Sequence, residues 1–275
     1  MQQLKPEYQL AIQAAIAASE AILEIYQLDF NIIEKQDGSP VTAADLAASE
    51  KIDAILQPFG IPITGEETEK LPFEVRKHWT KCWCIDPLDG TKEFIKRNDE
   101  FAVNIALIEN GQPIFGLIAS PVNQEILIGS KEMGVFIFAF SDADQIENWQ
   151  QLTVPKNINS PLIMACSRSH HSSSVLSFID ELKIKGHEVN FLKKGSALKF
   201  FDLALGKADV YPRFAPTMEW DIAAGQAILE ALGGSVVHAA SGEPLYYNKA
   251  NLVNPYFIAY TKTMPLKTSF FGIEN

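Results

Sequence analysis

The sequence predicts a layered α/β fold in which an antiparallel-sheet lobe is followed by a mixed α/β lobe. Between residues 101 and 138, short apolar runs alternate with turn signals, as antiparallel strands do. Beyond residue 161, strand-like and helix-like segments alternate, which favours a layered α/β arrangement. The 275 residues suffice for one large domain or two lobes. We place the division in the polar region around residues 141–160, giving an N-terminal lobe of residues 1–150 and a C-terminal lobe of residues 151–275.

The first quarter of the chain predicts two helices and several short strands. Apolar residues recur at helical spacing after Pro6, which indicates a helix. Thr42 and Asp45 have the spacing of a capping box and predict the start of a second helix. The strands and turn expected around these helices are Phe30–Ile33, a turn at Asp37–Pro40, Ile61–Thr64 and Trp83–Ile85. The last two strands end just before Glu66 and Asp86.

The middle and the end of the chain contain the two patterns that define the fold class. The strands of the antiparallel meander are predicted at Phe101–Ile108, Ile114–Ala119, Ile126–Ile128 and Val135–Phe138. Asn110-Gly111, between the first two, is a strong hairpin-turn signal. The later strands are predicted at Leu162–Cys166, Val189–Leu192 and Asp209–Tyr211. The later helices are predicted at Ser174–Lys183, Ala197–Leu205 and Asp221–Leu232, with Thr217 as a candidate cap of the last.

Composition and charge exclude several classes of function. The net charge of −11 and the lack of a basic patch argue against a nucleic-acid polymer as partner. The three cysteines, Cys82, Cys84 and Cys166, lack paired spacing, which predicts buried, reduced thiols rather than disulfides. The N-terminus resembles neither a signal peptide nor a membrane-spanning helix. We therefore expect a soluble, cytoplasmic protein without an integral membrane segment.

The segment from Asp86 to Thr91 combines ligands for a cation with ligands for an anion. Asp86 and Asp89 can face one point if the chain turns sharply at Pro87. Gly90 permits close approach of the backbone, and N–H groups at a following helix start suit a phosphate. Mg²⁺ prefers oxygen ligands and usually takes phosphate oxygens as well. Taken alone, the segment fits an ordinary strand-turn-helix cap equally well.

Two further acidic segments favour a metal site. Glu66 and Glu67 follow one predicted strand, and Asp221 opens an apolar helix. If these carboxylates converged on Asp86 without a cation, their mutual repulsion would raise some pKa values. Bound Mg²⁺ removes that conflict, and two cations about 4 Å apart can hold a phosphoryl group and activate water.

Three motifs in the same order identify a family. They are Gly65-Glu66-Glu67, the DPxDGT sequence at Asp86–Thr91, and the WDxAAG sequence at Trp220–Gly225. With them the chain resembles, over nearly its whole length, the inositol-monophosphatase superfamily of magnesium-dependent, lithium-sensitive phosphatases. The resemblance implies an α-β-α-β-α sandwich.

Other segments resemble one branch of this superfamily, the bacterial 3′(2′),5′-bisphosphate nucleotidases of the CysQ type. They are Thr91–Ile95, Gly195–Phe200 and Leu205–Arg213. The resemblance implies hydrolysis of 3′-phosphoadenosine 5′-phosphate to AMP and phosphate, a by-product clearance step in sulfur assimilation. It thus implies a small bisphosphorylated nucleoside as the partner.

The resemblance also implies roles for individual residues. Two or three Mg²⁺ ions would be held by the metal ligands Glu66, Asp86, Asp89, Asp221 and the carbonyl of Leu88. Asp45 and Thr91 would orient and deprotonate the attacking water, and Glu67 would support the metal ligands indirectly. The substrate contacts would come from Glu66, Leu88, Asp89, Gly90, Thr91, Ser167, His170, Ser196, Lys199, Arg213 and Asp221.

Several of these residues have plainer interpretations. Asp45 alone fits a helix-capping acid, His170-His171 a polar loop, and Lys199 a solvated helix face. Glu219, next to Trp220, departs from the expected pattern and adds a charge beside the site, which affects substrate fit rather than metal binding.

Other functions stay open at this point. The same metals would serve an inositol monophosphatase or another sugar-phosphate phosphatase. A non-catalytic nucleotide sensor on the same fold is a further alternative. A P-loop or Rossmann enzyme is disfavoured because neither glycine motif occurs. The protein is expected to be a monomer or homodimer, and the resemblance allows a peripheral position on the cytoplasmic face of the inner membrane.

Overall fold

A long antiparallel meander provides the first half of the fold. The structure, a computed structural model, describes residues 4–28, 32–34, 40–167 and 173–264. Its helices in this half are α1 Pro6–Tyr26, α2 Ala43–Leu56, α3 Phe73–Arg76 and α4 Thr91–Ile95. Its strands there are β1 Ile32–Glu34, β2 Pro40–Thr42, β3 Ile63–Gly65, β4 Lys81–Asp89, β5 Ala102–Glu109, β6 Gln112–Ser120, β7 Glu125–Ser130, β8 Gly134–Ala139 and β9 Gln150–Leu152.

Strands and helices alternate through most of the second half. Its strands are β10 Leu162–Cys166, β11 Val189–Lys193, β12 Val210–Arg213, β13 Ser235–His238 and β14 Phe257–Tyr260. Its helices are α5 Ser173–Ile184, α6 Leu198–Ala204 and α7 Glu219–Ala231. The prediction for β10 is confirmed to the residue, and those for the other elements of this half agree within two residues where they were made.

Two large sheets organise the described part of the chain. The first has the order β3-β4-β5-β6-β7-β8-β9, with β3 parallel to β4 and the later pairs antiparallel. The second has the order β11-β10-β12-β14-β13 and is mixed, because β10 pairs in parallel with β11 and β12. The predicted antiparallel meander and mixed α/β unit are thus confirmed.

The alternation of side chains along the strands produces five layers. On β4, Trp83 and Ile85 face a core shared with α1 and α2, whereas Cys82 and Cys84 face a core shared with α6 and α7. The second core also contains residues of the second sheet, and α5 covers the outer face of that sheet. The order is therefore helices, sheet, helices, sheet, helix, and the predicted sandwich is confirmed.

Helix α7 ties the two halves together. It contacts β4, β5, β6 and β7 of the first sheet as well as β13 of the second. Gly116 on β6 permits this close contact, because a Cβ there would lie 2.1 Å from the carbonyl oxygen of Ala224. The division into residues 1–150 and 151–275 stays a prediction, and α7 packs in the single core that the two sheets share.

Some predictions differ from the structure. Strand β4 continues four residues beyond Ile85, because a register shift between Asp86 and Asp89 keeps the chain on the sheet through the bend. Thr217 does not cap α7; the cap is Met218, whose N–H donates to Asp221 at 2.8 Å. Strands β2, β9, β13 and β14 and helix α3 were not predicted. Residues 37–39 of the expected Asp37–Pro40 turn and the first half of the Phe30–Ile33 strand lie outside the described residues, and Pro40 begins β2.

The cysteines and the helices agree with the expectations from composition. Cys82, Cys84 and Cys166 are buried and form no disulfide. Burial raises the pKa of the Cys82 thiol to about 12. In the described ranges, no helix is both long enough and apolar enough to cross a membrane.

Candidate active site

Three carboxylates from distant parts of the sequence converge at one end of the first sheet. Glu66 follows β3, Asp86 lies on the adjacent β4, and Asp221 lies in the first turn of α7. One oxygen of each lies within 4.8 Å of the others. The approach of β3 to β4 depends on Gly65, since a Cβ at that position would lie 2.3 Å from the carbonyl oxygen of Ile85.

The electrostatics of this cluster suit a cation. Burial, followed by repulsion from Glu66, Asp89 and Asp221, raises the pKa of Asp86 well above its ordinary value. Burial, followed by repulsion from Asp89, raises the pKa of Asp221 to about 8. Three carboxylate groups at this spacing form the oxygen-rich, negatively charged donor set that a hard divalent cation requires. The residues present therefore fit a metal ion.

Asp89 lies beside the three clustered carboxylates and connects them to the second half of the chain. Its Oδ2 accepts hydrogen bonds from Asn104 Nδ2 at 3.1 Å and from the N–H of Ala197 at 2.5 Å. Burial raises the pKa of Asp89 to about 6, although nearby Lys199 opposes that rise. These two donors tie Asp89 to β5 and to the turn before α6.

The turn from Asp86 to Thr91 exposes backbone groups next to these carboxylates. Asp86 Oδ1 accepts a hydrogen bond from the N–H of Leu88 at 3.1 Å, which closes the bend. Gly90 has a φ of 98°, a value that favours glycine, and α4 begins immediately after it. A Cβ at Gly90 would also lie 3.1 Å from the carbonyl oxygen of Glu100. The bend therefore leaves backbone groups at the start of α4 beside the acidic cluster.

Asp45 links helix α2 to this turn. Its Oδ2 accepts hydrogen bonds from the N–H and the hydroxyl of Thr42, both at 2.7 Å, which confirms the predicted capping box. Its Oδ1 accepts a hydrogen bond from the hydroxyl of Thr91 at 2.9 Å. Burial raises the pKa of Asp45. The capping role and the contact with Thr91 therefore coexist in one side chain.

A cavity of about 280 Å³ opens next to the carboxylates. Asp89, Gly90 and Asp221 form one side of it. The other residues that line it come mainly from the second half of the chain and are Lys92, Glu93, Ser167, Gly195, Ser196, Ala197, Lys199, Phe200, Tyr211, Arg213, Thr217 and Ile222. The structure thus brings seven of the predicted substrate contacts to one space: Asp89, Gly90, Ser167, Ser196, Lys199, Arg213 and Asp221.

Two cationic side chains in this cavity are held by neutral partners. Lys199 is 3% exposed, so its interpretation as a solvated helix face is wrong. Its Nζ donates to the carbonyl oxygens of Ser196 at 2.5 Å and Lys194 at 3.3 Å, and burial lowers its pKa to about 8. Arg213 Nη1 donates to Ser167 Oγ at 2.7 Å. Among the described residues, neither cation bonds directly to a carboxylate, so both suit an anionic ligand.

Three residues that the sequence singled out remain: His170, Glu67 and Glu219. His170 lies outside the described residues. Glu67 adjoins Glu66 and is half-buried. Glu219, expected to add a charge beside the site, is 1% exposed and is paired with Lys249 Nζ at 2.5 Å. Its charge is therefore compensated, and it is absent from the cavity lining described above.

Sequence reasoning missed several residues that shape the site. Glu100 is buried and accepts a hydrogen bond from the N–H of Gly195 at 2.8 Å. Together with the bond from Ala197 to Asp89, this fixes the turn that carries Ser196 to the Asp86–Thr91 bend. Asn104 lies beside Asp89, and Tyr211 lies in the cavity wall. The sequence signal that could have identified Glu100 is its position as a polar residue just before the apolar strand β5.

Comparisons with known proteins show which family the chain is similar to. The profile of the inositol monophosphatase family matches residues 3–264. The chain is 39% identical over 254 residues to the 3′(2′),5′-bisphosphate nucleotidase CysQ of Escherichia coli, covering 89% of this chain and 96% of that protein. It is 32% identical over 250 residues to the protein of the same name from Haemophilus influenzae, covering 89% and 88%, respectively.

Solved structures show the same fold. The crystal structure of CysQ from Bacteroides thetaiotaomicron, described as a bacterial member of the inositol monophosphatase family, is 42% identical, with a TM-score of 0.81 and coverage of 92% and 96%. An IMPase from Thermotoga maritima, at 23% identity and a TM-score of 0.73, shares the fold and covers 94% and 93%. The fold and the acidic site define a metal-dependent class of phosphatases. The chain belongs to the inositol monophosphatase family.

Proposed function

We propose that this protein is a magnesium-dependent 3′(2′),5′-bisphosphate nucleotidase. It hydrolyses the 3′-phosphate of 3′-phosphoadenosine 5′-phosphate and releases AMP and phosphate. The observation that carries the proposal is one continuous site, in which the carboxylate cluster adjoins a cavity that contains Lys199 and Arg213. The names of relatives that are 39–42% identical over most of the chain support the same substrate class.

The metal ligands in this proposal are Glu66, Asp86, Asp89 and Asp221 with the carbonyl of Leu88, and they hold two or three Mg²⁺ ions. When bound, magnesium compensates the carboxylate charges, binds phosphate oxygens and acidifies water. The four carboxylates supply the oxygen donors, and Glu67 supports them from the adjoining position. Gly90 and Thr91 contribute the backbone groups at the start of α4 that bind the scissile phosphate.

Asp45 and Thr91 position and deprotonate the attacking water. The Thr91 hydroxyl donates its proton to Asp45 at 2.9 Å. The lone pairs of the hydroxyl oxygen are therefore available to accept a hydrogen bond from the attacking water. The water oxygen forms the new bond to phosphorus, and the water proton passes through Thr91 to Asp45. The P–O3′ bond breaks with its electron pair on O3′, which takes a proton from solvent water to become the hydroxyl of AMP. Burial raises the pKa of Asp45, which makes it a better proton acceptor.

The second phosphate distinguishes a bisphosphorylated nucleoside from inositol phosphate. Arg213 carries a planar guanidinium with Nη1 on Ser167, a geometry that suits phosphate oxygens. Lys199 adds a buried point charge across the same cavity. Ser196 and Ser167 add hydroxyl groups. The substrate contact of His170, which lies outside the described residues, stays a prediction. Two cations beyond the metal cluster favour a substrate with two phosphates over one with a single phosphate.

A substrate panel tests the proposal. Phosphate release is measured from 3′-phosphoadenosine 5′-phosphate, AMP and inositol 1-phosphate, with and without Mg²⁺. We expect the bisphosphate nucleotide to give the highest kcat/KM and no turnover in EDTA. Faster release from inositol phosphate favours the alternative of an inositol or sugar-phosphate phosphatase. Tight nucleotide binding without any turnover favours the sensor alternative. Inhibition by lithium and a cytoplasmic location are further predictions from the resemblance.

A further inference from the structure

A buried carboxylate near the start of α7 has no role in the proposed reaction. Glu219, two positions before Asp221, is 1% exposed. Its oxygens accept hydrogen bonds from the N–H of Asn248 at 2.6 Å, the N–H of Lys249 at 3.0 Å and Lys249 Nζ at 2.5 Å. A buried charge is costly unless it is paired and hydrogen-bonded. These three bonds therefore fix the start of α7 against residues 246–254.

The peptide group just before Glu219 is held by the same segment. The N–H of Glu219 donates to the carbonyl oxygen of Leu252 at 3.0 Å. Asn254 Nδ2 donates to the carbonyl oxygen of Met218 at 2.6 Å. The turn that carries Asp221 into the acidic cluster is thus bound at successive residues to the 246–254 segment.

The 246–254 segment is bound in turn to the connection that follows Glu66. Asn248 Oδ1 accepts a hydrogen bond from Arg76 Nη1 at 2.7 Å, and Asn248 Nδ2 donates to the carbonyl oxygen of Arg76 at 2.8 Å. Arg76 Nη2 also donates to the carbonyl oxygen of Lys249 at 3.0 Å. Arg76 is 3% exposed and ends α3, in the stretch between β3 and β4 that begins with Glu66.

A second, shorter connection joins the stretch after Glu66 directly to the start of α7. Lys70 Nζ donates a hydrogen bond to the carbonyl oxygen of Glu66. The same ammonium lies 5.1 Å from the centre of the Trp220 ring, beside Asp221. Glu66 and Asp221 therefore approach each other through contacts that involve no metal ion.

We infer that Glu219, Lys249, Asn248 and Arg76 are positioning residues, which set the separation of Glu66 and Asp221 and thereby the affinity of the cluster for a divalent cation. The inference rests on the proposed metal-dependent function of the same site. Glu66 and Asp221 are far apart in the sequence, so no local backbone geometry fixes their distance. Residues that hold metal ligands in place commonly change metal affinity when they are replaced.

Asn248→Gly tests the inference with the least disturbance. Asn248 has a φ of 58°, which glycine adopts without strain. The substitution removes both side-chain bonds to Arg76 and keeps the N–H that Glu219 accepts. We expect the Mg²⁺ dissociation constant, measured by calorimetry without substrate, to rise about 10-fold. The KM for the bisphosphate nucleotide at saturating Mg²⁺ should stay unchanged.

A second variant acts on the other half of the network. Lys249→Met removes the ammonium from Glu219 and keeps both backbone donors, so the Mg²⁺ dissociation constant should again rise, whereas Lys249→Arg should restore it. Asn159→Ala is the matched control. It removes two side-chain bonds, to the carbonyl oxygen of Gly206 and to Asp209, in the second half of the chain. It should lower the melting temperature and leave Mg²⁺ binding unchanged.

The outcomes separate the inference from the proposed function. Wild-type protein that binds no Mg²⁺ contradicts both. Wild-type binding, with dissociation constants for Asn248→Gly and Lys249→Met within two-fold of it, overturns the inference alone, even if both variants melt at lower temperature. Weaker Mg²⁺ binding in both variants, with normal binding in Asn159→Ala, supports it.

Discussion

The hydroxyl of Thr91 donates a hydrogen bond of 2.9 Å to Oδ1 of Asp45, whose Oδ2 caps helix α2 through Thr42. One carboxylate thus stabilises a helix start and faces the proposed reaction. Because the two functions use different oxygens, substitutions can separate them.

Asp45→Asn should reduce kcat by at least about 100-fold, the usual contribution of a general base. The amide oxygen can still accept the bonds from Thr42, so stability should change by less than about 1 kcal/mol. Thr42→Ala is the control, with a cost of about 1 kcal/mol in stability and little change in kcat. Steady-state kinetics and thermal unfolding measure both. A wild-type kcat in Asp45→Asn would remove this residue from the mechanism.

Asp86→Asn should abolish Mg²⁺-dependent turnover and stabilise the metal-free protein. The substitution removes a buried charge that Glu66, Asp89 and Asp221 repel. We therefore expect a higher free energy of unfolding than that of the wild type in EDTA, measured by chemical denaturation. Asp180→Asn, at an exposed position, should change neither quantity. A less stable Asp86→Asn protein in EDTA would argue against repulsion in the cluster.

Saturation with Mg²⁺ should stabilise the wild-type protein by roughly 2.7 kcal/mol at 100 times the dissociation constant. At a fixed Mg²⁺ concentration the stabilisation should be larger at high pH, because deprotonated carboxylates bind the cation more tightly. The folded-state pKa of Asp221 is raised to about 8, so its contribution to stability in the metal-free protein is complete below its ordinary pKa and is lost as pH rises toward 8.

Melting temperatures in EDTA and in Mg²⁺ between pH 5 and about 8 test this linkage. The metal-free protein should lose stability relative to an Asp221→Asn variant as pH rises. An identical pH dependence for the two metal-free proteins would contradict the raised pKa.

The KM for the bisphosphate nucleotide should increase above about pH 8, because burial lowers the pKa of Lys199 to about 8 and the neutral amine attracts phosphate weakly. A pH series of KM at saturating Mg²⁺ measures the effect. In Lys199→Met the KM should be higher throughout and should lack this inflection. An unchanged inflection in the variant would assign it to another group.

Arg213→Met should lower kcat/KM for 3′-phosphoadenosine 5′-phosphate by about 10- to 100-fold, the value of a charged hydrogen bond. Inositol 1-phosphate, which lacks a second phosphate, should lose less than threefold. The ratio of the two kcat/KM values is the measurement, and an equal loss for both substrates would place Arg213 at the scissile phosphate instead.

Local patterns predicted most elements, because alternation and helical spacing are properties of short segments. The strand Leu162–Cys166 and the Thr42–Asp45 cap show this. The extension of β4 through Asp89 was missed, since the register shift depends on pairing with β5. The convergence of Glu66, Asp86 and Asp221 was argued from motifs. The hydrogen bonds of Glu100 and Glu219 could not be predicted, because their partners lie in loops that no local sequence pattern identifies.

The distribution of the acidic ligands has a consequence for the order of assembly. Asp86 lies in the first sheet and Glu66 directly follows one of its strands, whereas Asp221 arrives with a helix encoded much later, which packs in the core that the two sheets share. A nascent chain released before that helix carries two of the clustered carboxylates without the third. High-affinity binding of magnesium during translation would therefore show that α7 has packed between the two sheets. A signal that depends on the bound cation could measure when this packing occurs on the ribosome.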